Sequence, residues 1–363
     1  MDLAVPHVEG SSRLQGFLPE LMFEVEPTVR CNAYCIMCPR EYTPKRKDLD
    51  VDTFRVVLDR IEEYPVGLLK IIHFCGLGEP SMHANIVEFA AMAHQRGIAT
   101  SMQTNAKSLT PELSRELIDA GLSGFFVSVG GALKETYEFV LRGCKYENFV
   151  ANVEGLLENK AGRDVIVTMA LTPTHGTQAE SRQIVERWRP RGVDFFFAEE
   201  GVVTRGGTVP AMKRPVDGAF ESCDLGRQVE LARDVGLDSW NAFVFSRLTR
   251  EEYENFEAKN KFYCFLKDKL YYIGCDGQYY LGSCDYPKDY PLGNVREHSI
   301  ADMVRIKADL EPTKMCLECA DYEGLYGLNF DELQPIVESQ EGSRRVYQRV
   351  AEIALRKGYV TLT

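Results

Sequence analysis

The run Cys31-Asn32-Ala33-Tyr34-Cys35-Ile36-Met37-Cys38-Pro39 decides how the rest of the chain is read. Three thiolates at this spacing can hold an iron-sulfur cluster and leave one iron open. A cubane 4Fe-4S cluster normally takes four cysteines, and no fourth lies near the triplet. Two blander readings also suit the three residues: a structural zinc site, which uses Cys-x2-Cys pairs, and three buried thiols packing as small hydrophobes.

A second motif bears on the choice. Leu69 to Cys75 reads as a buried strand and runs into Gly76-Leu77-Gly78-Glu79-Pro80. Two glycines let the backbone approach a ligand closely, and Glu79 can accept a charge-assisted hydrogen bond from an ammonium group. The CX3CX2C spacing, followed one strand-helix-strand unit later by this turn, resembles the radical S-adenosylmethionine (radical SAM) superfamily. The resemblance implies that the amino and carboxylate groups of SAM chelate the fourth iron. One electron from the reduced cluster then cleaves the sulfonium, and the 5'-deoxyadenosyl radical abstracts hydrogen from unactivated carbon.

The same resemblance assigns residues around SAM. Gly76, Gly78 and Glu79 lie against its methionine, and Ser128 and Arg142 bind its carboxylate, Arg142 as a bidentate fork. A surface ion pair is the alternative for Arg142. Asn105 touches the methionine or ribose. Met37 stands where the family often has an aromatic residue against adenine, and a thioether makes a similar soft contact.

At 363 residues, with 45% hydrophobic and 26% charged residues, the chain has room for about two domains of ordinary globular composition. A net charge of -12 argues against nucleic acid as a partner, since nucleic-acid binders carry a basic footprint. No run reaches the roughly 20 apolar residues of a membrane span, and Met1 to Pro6 does not resemble a secretory signal. Eleven cysteines in such a chain suggest a reducing, cytoplasmic setting and metal ligation.

Strand and helix patterns alternate over the first two hundred residues. Strands are expected at Leu21 to Glu26, Leu69 to Cys75, Ile98 to Gln103, Gly124 to Val129, Val165 to Leu171 and Phe195 to Ala198. A helix carries Phe54, Val57, Leu58 and Ile61 on one stripe; another has Thr110 as its cap, Pro111 at its first position and Gly121 beyond its end. Such βα units imply a parallel sheet covered by helices. Family resemblance sharpens the fold class to α/β, a partial (β/α)6 radical SAM barrel. Periodicity fades near Thr204 to Pro210. The expected organisation is an N-terminal extension (1–20), the barrel (21–210), a connecting helical segment (211–260), a small module (261–325) and a C-terminal helical extension (326–363). That extension carries Ser343 as a candidate cap, Val346, Val350 and Ile353 on one face, and Gly358 as its stop.

Within the small module, Leu270 to Ile273 and Gln278 to Leu281 flank Cys275-Asp276-Gly277, a strong hairpin signal. Cys264 precedes the hairpin, Cys284 follows it, and Cys316 and Cys319 come after a helix containing Ile300, Met303 and Ile306. Four thiolates suit either a zinc ribbon or a cluster. The pattern, with Pro291 to Ser299 before the helix, resembles the Twitch module (β-hairpin plus helix) of SPASM/Twitch radical SAM enzymes, which implies one auxiliary 4Fe-4S cluster. Cys275 at the hairpin tip is left unligated, and Cys75 is a small buried hydrophobe.

Cys144, beside Arg142, is a candidate catalytic thiol; a buried structural role is the alternative. Cys223 has weaker claims. The function implied is hydrogen abstraction from a polar small molecule such as a sugar, aminoglycoside or aminocyclitol, as in antibiotic biosynthesis. Dehydrogenation of a carbinol leads, with the auxiliary cluster taking the second electron. Two alternatives are epimerisation with a cysteine hydrogen donor and maturation of a ribosomal peptide. Each needs an external one-electron reductant of flavodoxin or ferredoxin type. Glu199 and Glu200 are candidates to hold a substrate amino group, or else solvated charges.

Overall fold

The structure is a computed structural model and describes residues 22–36, 38, 47–63, 69–171, 174–198, 238–239, 267, 270–317, 349–350 and 352–359. Five parallel strands carry the expected pattern almost to the residue: β1 Met22–Val25, β2 Ile71–Phe74, β3 Ala99–Thr104, β4 Gly124–Val129 and β5 Ile166–Leu171. β6, Phe195–Ala198, follows in the same direction. Between them run α1 Val51–Glu62, α2 Ile86–Gln95, α3 Pro111–Asp119, α4 Lys134–Val140, α5 Tyr146–Lys160, α6 His175–Ala179 and α7 Ser181–Trp188.

Local chemistry sets these boundaries. Asp50 caps α1 by accepting from Thr53 N at 2.7 Å, and Phe54, Val57, Leu58 and Ile61 are its buried stripe. Thr110 caps α3 through Leu113 N at 3.2 Å, Pro111 occupies the first turn, and Gly121 leaves the helix at φ +104°.

Alternation along the strands separates two faces. Phe23, Val25, Ile72, Phe74, Met102, Phe125 and Val127 are buried in one core with Phe54, Phe89 and Phe149 of the helices. Glu24, His73, Ser101, Gln103, Phe126 and Ser128 occupy the opposite face and are only partly covered. Strands lie about 4.8 Å apart, yet the rings of His73 on β2 and Phe126 on β4 meet edge to face at 5.1 Å across β3. The sheet therefore curls toward its polar face, as a partial barrel does.

The sheet does not stop at six strands. Asp238–Ser239 forms a short β7 paired parallel to β6, within the segment expected to be helical and connecting. The C-terminal hairpin, β8 Leu270–Ile273 and β9 Gln278–Tyr280, joins the barrel directly, because β8 pairs parallel to β1. Strand β10, Pro291–Asn294, extends this edge antiparallel to β9. The order is β10-β9-β8-β1-β2-β3-β4-β5-β6-β7. Two strands were missed because β7 has only two residues and β10 contains Pro and Gly, which weaken a strand pattern.

Helix α8, Ile300–Ala308, is opened by a reciprocal cap between Ser299 and Asp302. Its Lys307 is 2% exposed; Nζ donates to Leu270 O at 2.7 Å and Leu281 O at 3.2 Å and lies 4.6 Å from the Tyr271 ring centre. A four-residue helix α9, Lys314–Leu317, follows. Far along the chain, Ile353 and Ala354 are buried, and Gly358 has φ +71° where the last helix was expected to stop; its proposed cap Ser343 and Val346 lie outside the described residues.

Lys307→Met keeps the length of the side chain but strands two buried carbonyls. It should destabilise the protein by roughly 1.5 to 3 kcal/mol, the range for bonds to a charged group, read as a lower urea midpoint with unchanged slope.

Candidate functional site

Every chemical motif of the barrel lies beyond the carboxyl ends of its strands, the position ligands take in open α/β sheets. The cysteine loop leaves β1 and is anchored on three sides. Arg30 O accepts from Glu79 N at 2.8 Å, Val140 O accepts from Ile36 N at 3.0 Å, and Lys107 Nζ donates to Asn32 O at 2.8 Å. Behind it, Arg30 grips Asp48 through two bonds of 2.9 and 2.7 Å.

The glycines of Gly76 to Pro80 also make a close approach within the protein itself. A Cβ on Gly78 would stand 1.9 Å from Thr28 O and 2.8 Å from Arg30 O. One on Gly76, which has φ +124°, would stand 2.6 Å from Glu26 Cγ and Oε1. The motif loop is thus laid on the cysteine loop without room for side chains.

Glu79 is 2% exposed and fully engaged with the protein. Its Oε1 accepts from Ser81 N at 3.1 Å, Ser81 Oγ at 2.6 Å and Thr104 Oγ1 at 2.8 Å, and its Oε2 accepts from Asn105 N at 2.7 Å. Burial pushes its pKa up, against the pull of these donors. A carboxylate has about four acceptor sites, and here Ser81, Thr104 and Asn105 supply four donors. Asn105, in turn, donates from Nδ2 to Asn32 Oδ1 at 2.9 Å and to Cys31 Sγ at 3.8 Å. Its amide is turned to a cysteine sulfur.

The three thiols are neighbours. Cys35 is pushed well up, by burial first and then by Cys38, Cys31 and Cys144. Among the described residues no three His, Cys, Asp or Glu side chains are gathered tightly enough for a single metal ion. A cubane asks for a wider arrangement, since each thiolate binds a different iron. Donors that are thiols alone, with an amide N–H directed at one sulfur, fit an iron-sulfur cluster.

Other expected residues scatter. Ser128 Oγ accepts from Gln103 Nε2 at 2.7 Å on the inner face of β4. Arg142 is exposed, with its guanidinium 5.5 Å from the centre of the Phe139 ring; its carbonyl, not its fork, touches the cysteine loop, by accepting from Tyr34 N at 2.7 Å. Cys144 is 2% exposed, and its thiol is pushed up to about 11, chiefly by burial, with Lys107 opposing and Cys31 and Glu79 adding. It sits behind the cysteine loop beside Tyr137. Cys284 is buried, and Cys316 Sγ lies 3.2 Å from Thr313 Oγ1. Cys275 is buried rather than exposed at its hairpin tip, and burial, then Glu26, push it up to about 12. Met37, Cys223, Cys264, Cys319, Glu199 and Glu200 lie outside the described residues.

The structure adds His73, which the strand reading passed over although its neighbours Ile72 and Phe74 alternate with it. Its Nδ1 is 2.8 Å from Ser101 Oγ, and burial brings its pKa down to about 4. It is neutral at physiological pH and faces the polar interior of the barrel.

Residues 25–183 match the Radical SAM superfamily, and the chain carries a radical SAM domain there, spanning β1 to β5 and both motifs. A cofactor-modifying protein for tungsten-containing aldehyde ferredoxin oxidoreductase from Pyrococcus furiosus is 35% identical over 106 residues, 29% of this chain and 29% of its own. A PqqA peptide cyclase from Bradyrhizobium diazoefficiens is 37% identical over 109 residues, 30% of this chain and 28% of its own. The chain thus spans under a third of the length of these relatives. Native anSMEcpe, solved with bound AdoMet and a Cp18Cys peptide, shares the fold at a TM-score of 0.62 and 13% identity, over 93% of this chain and 98% of that one. No described helix is long and apolar enough to cross a membrane.

Two outcomes follow from this geometry. Gly78→Ala should lower iron incorporation during anaerobic reconstitution several-fold, because the Cβ meets backbone rather than a flexible side chain. For His73 the folded pKa lies below the ordinary 6.5. The unfolded chain therefore takes up a proton first, and the contribution is complete above about pH 6.5 and lost as pH falls toward 4. Urea unfolding should show a loss of up to about 2 kcal/mol between pH 7 and pH 5, and a smaller one in His73→Gln.

Proposed function

We propose that this chain is a radical SAM oxidoreductase that removes hydrogen from a polar substrate held in the barrel. The observation that supports this reading most directly is the conjunction of three neighbouring thiols with a motif loop packed onto their backbone and an asparagine amide aimed at Cys31. Cys31, Cys35 and Cys38 would hold the SAM-binding 4Fe-4S cluster, and Cys264, Cys284, Cys316 and Cys319 an auxiliary one. When bound, the first cluster and SAM would supply the radical chemistry that removes a hydrogen atom, on one electron from an external reductant, and the second would take up the electron released as the substrate loses its hydroxyl proton and pass it back to an external carrier.

The protein's own contribution is a chamber wall. Glu24, His73, Ser101, Gln103 and Ser128 offer hydrogen bonds from the inner face of four adjacent strands, which suits a hydroxyl-rich small molecule better than an apolar one. With Nδ1–H turned to Ser101 Oγ, neutral His73 presents Nε2 as an acceptor for the proton of a substrate hydroxyl. In this reading Ser128 and Arg142 bind the carboxylate of SAM after Arg142 leaves Phe139, and Met37 packs on its adenine. Cys144, buried beside the cluster thiols, serves better as packing for the loop than as a donor to substrate.

A second reading, action on a peptide, draws on the likeness to the PqqA peptide cyclase. The first reading is tested on candidate carbinols, with reduced, reconstituted protein and SAM in D2O. Dehydrogenation gives a product two hydrogens lighter, without solvent deuterium at the reacting carbon. A product of substrate mass in water that gains one deuterium in D2O would instead establish epimerisation, and Cys144→Ala would then show whether that thiol is the donor.

A further inference from the structure

A buried ion pair joins the C-terminal part of the chain to the motif loop. Glu26, one residue past β1, is fully buried, and Lys288, four residues after Cys284, reaches it with a side chain 5% exposed. Glu26 is also the residue on which the motif loop rests. Its Oε1 accepts from Leu77 N at 3.0 Å, and Gly76 packs on its Cγ so closely that only a hydrogen fits between them.

Lys288 arrives by an unusual backbone. It has φ +60°, one of two non-glycine residues with positive φ among the described residues. The turn holding it is tied down by Asp285, whose carboxylate accepts from Asp289 N and Tyr290 N, each at 2.9 Å, while Lys288 N donates to Asp285 O at 3.1 Å. The ammonium lies 5.3 Å from the Tyr280 ring centre, and Tyr280 OH donates to Asp276 Oδ2 at 2.7 Å. A strained residue in a braced turn, with its charge delivered to one buried carboxylate, is overdetermined for simple packing.

We propose that Lys288 is a positioning residue for SAM: by neutralising Glu26 it holds the Gly76 to Glu79 loop in its binding shape, so that the segment after Cys284 governs the cofactor site. The inference rests on the reading of that loop as SAM-binding. Removing one partner of a buried pair leaves an uncompensated charge, whereas removing both charges does not. Without Lys288, the Glu26 carboxylate is left buried without its cation, and it must draw in water or turn away. Either change disturbs the acceptor that holds Leu77 N.

The test uses the full chain, anaerobically reconstituted, with SAM binding measured by titration and iron content and far-UV circular dichroism recorded beside it. Lys288→Met should bind SAM about ten-fold more weakly, roughly 1.4 kcal/mol, with unchanged iron and helix content. Lys288→Arg should recover most of the loss. The deciding variant is Glu26→Gln with Lys288→Met, where an amide oxygen still accepts from Leu77 N and no charge is buried; its SAM affinity should return to within two-fold of the parent. Should Lys288→Met fail to fold, the double variant carries the test alone. A double variant as weak as the single one, or a folded Lys288→Met that binds SAM as the parent does, overturns the proposal and leaves the SAM reading standing. Failure of the parent itself to bind SAM overturns that reading, and this inference with it.

Discussion

Gly78 is the constraint on which the site depends. Two loops from neighbouring strands, β1 and β2, cross so closely that the second must pass the carbonyls of Thr28 and Arg30 without a side chain. Once that contact is made, Glu79 follows into a buried position that it can occupy only because four donors from its own turn and the end of β3 meet its carboxylate. Asn105 is then carried to Cys31. Cysteine loop, motif loop and third strand end are thus one mechanical unit, assembled by backbone contact and closed by a buried carboxylate whose acceptors are satisfied.

The same economy recurs elsewhere in the sheet. Glu26 lies where the barrel meets its C-terminal strands and is matched by Leu77 N and Lys288, while Lys307 on α8 is matched by the carbonyls of Leu270 and Leu281. Such contacts do little for stability compared with apolar packing, but they admit only one register, because a slipped strand would bury an unmatched charge.

Periodicity and caps made much of the barrel legible. Phe54 to Ile61, Thr110 with Pro111, and the apolar strands are local signals, and local signals survive in a linear sequence. The cysteine spacing and glycine turn were equally readable, since they are short and regular. What could not be read was any relation across the chain. Glu79 looks the same in sequence whether it faces a ligand or Ser81, Thr104 and Asn105. Nothing in the sequence shows that Arg142 lies over the ring of Phe139. Glu26 and Lys288 are separated by most of the chain in sequence, and the docking of β8 on β1 is a matter of edges, which leave no trace in composition. His73 was within reach, because a histidine alternating with Ile72 and Phe74 must face away from the helices.

The pairing of β1 on both sides has a consequence for biosynthesis. Val25 meets Phe74 soon after it is made, but its other neighbour, Ile273, is encoded roughly 250 residues later. At a translation rate of about 5 to 20 residues per second, that edge stays open for on the order of ten to fifty seconds on the ribosome. During that interval the nascent barrel presents an unpaired strand, the kind of template that invites pairing with another chain. Glu24 and Glu26 lie along it, and two negative charges repel a second copy of the same strand until β8 arrives, with Lys288 following shortly behind.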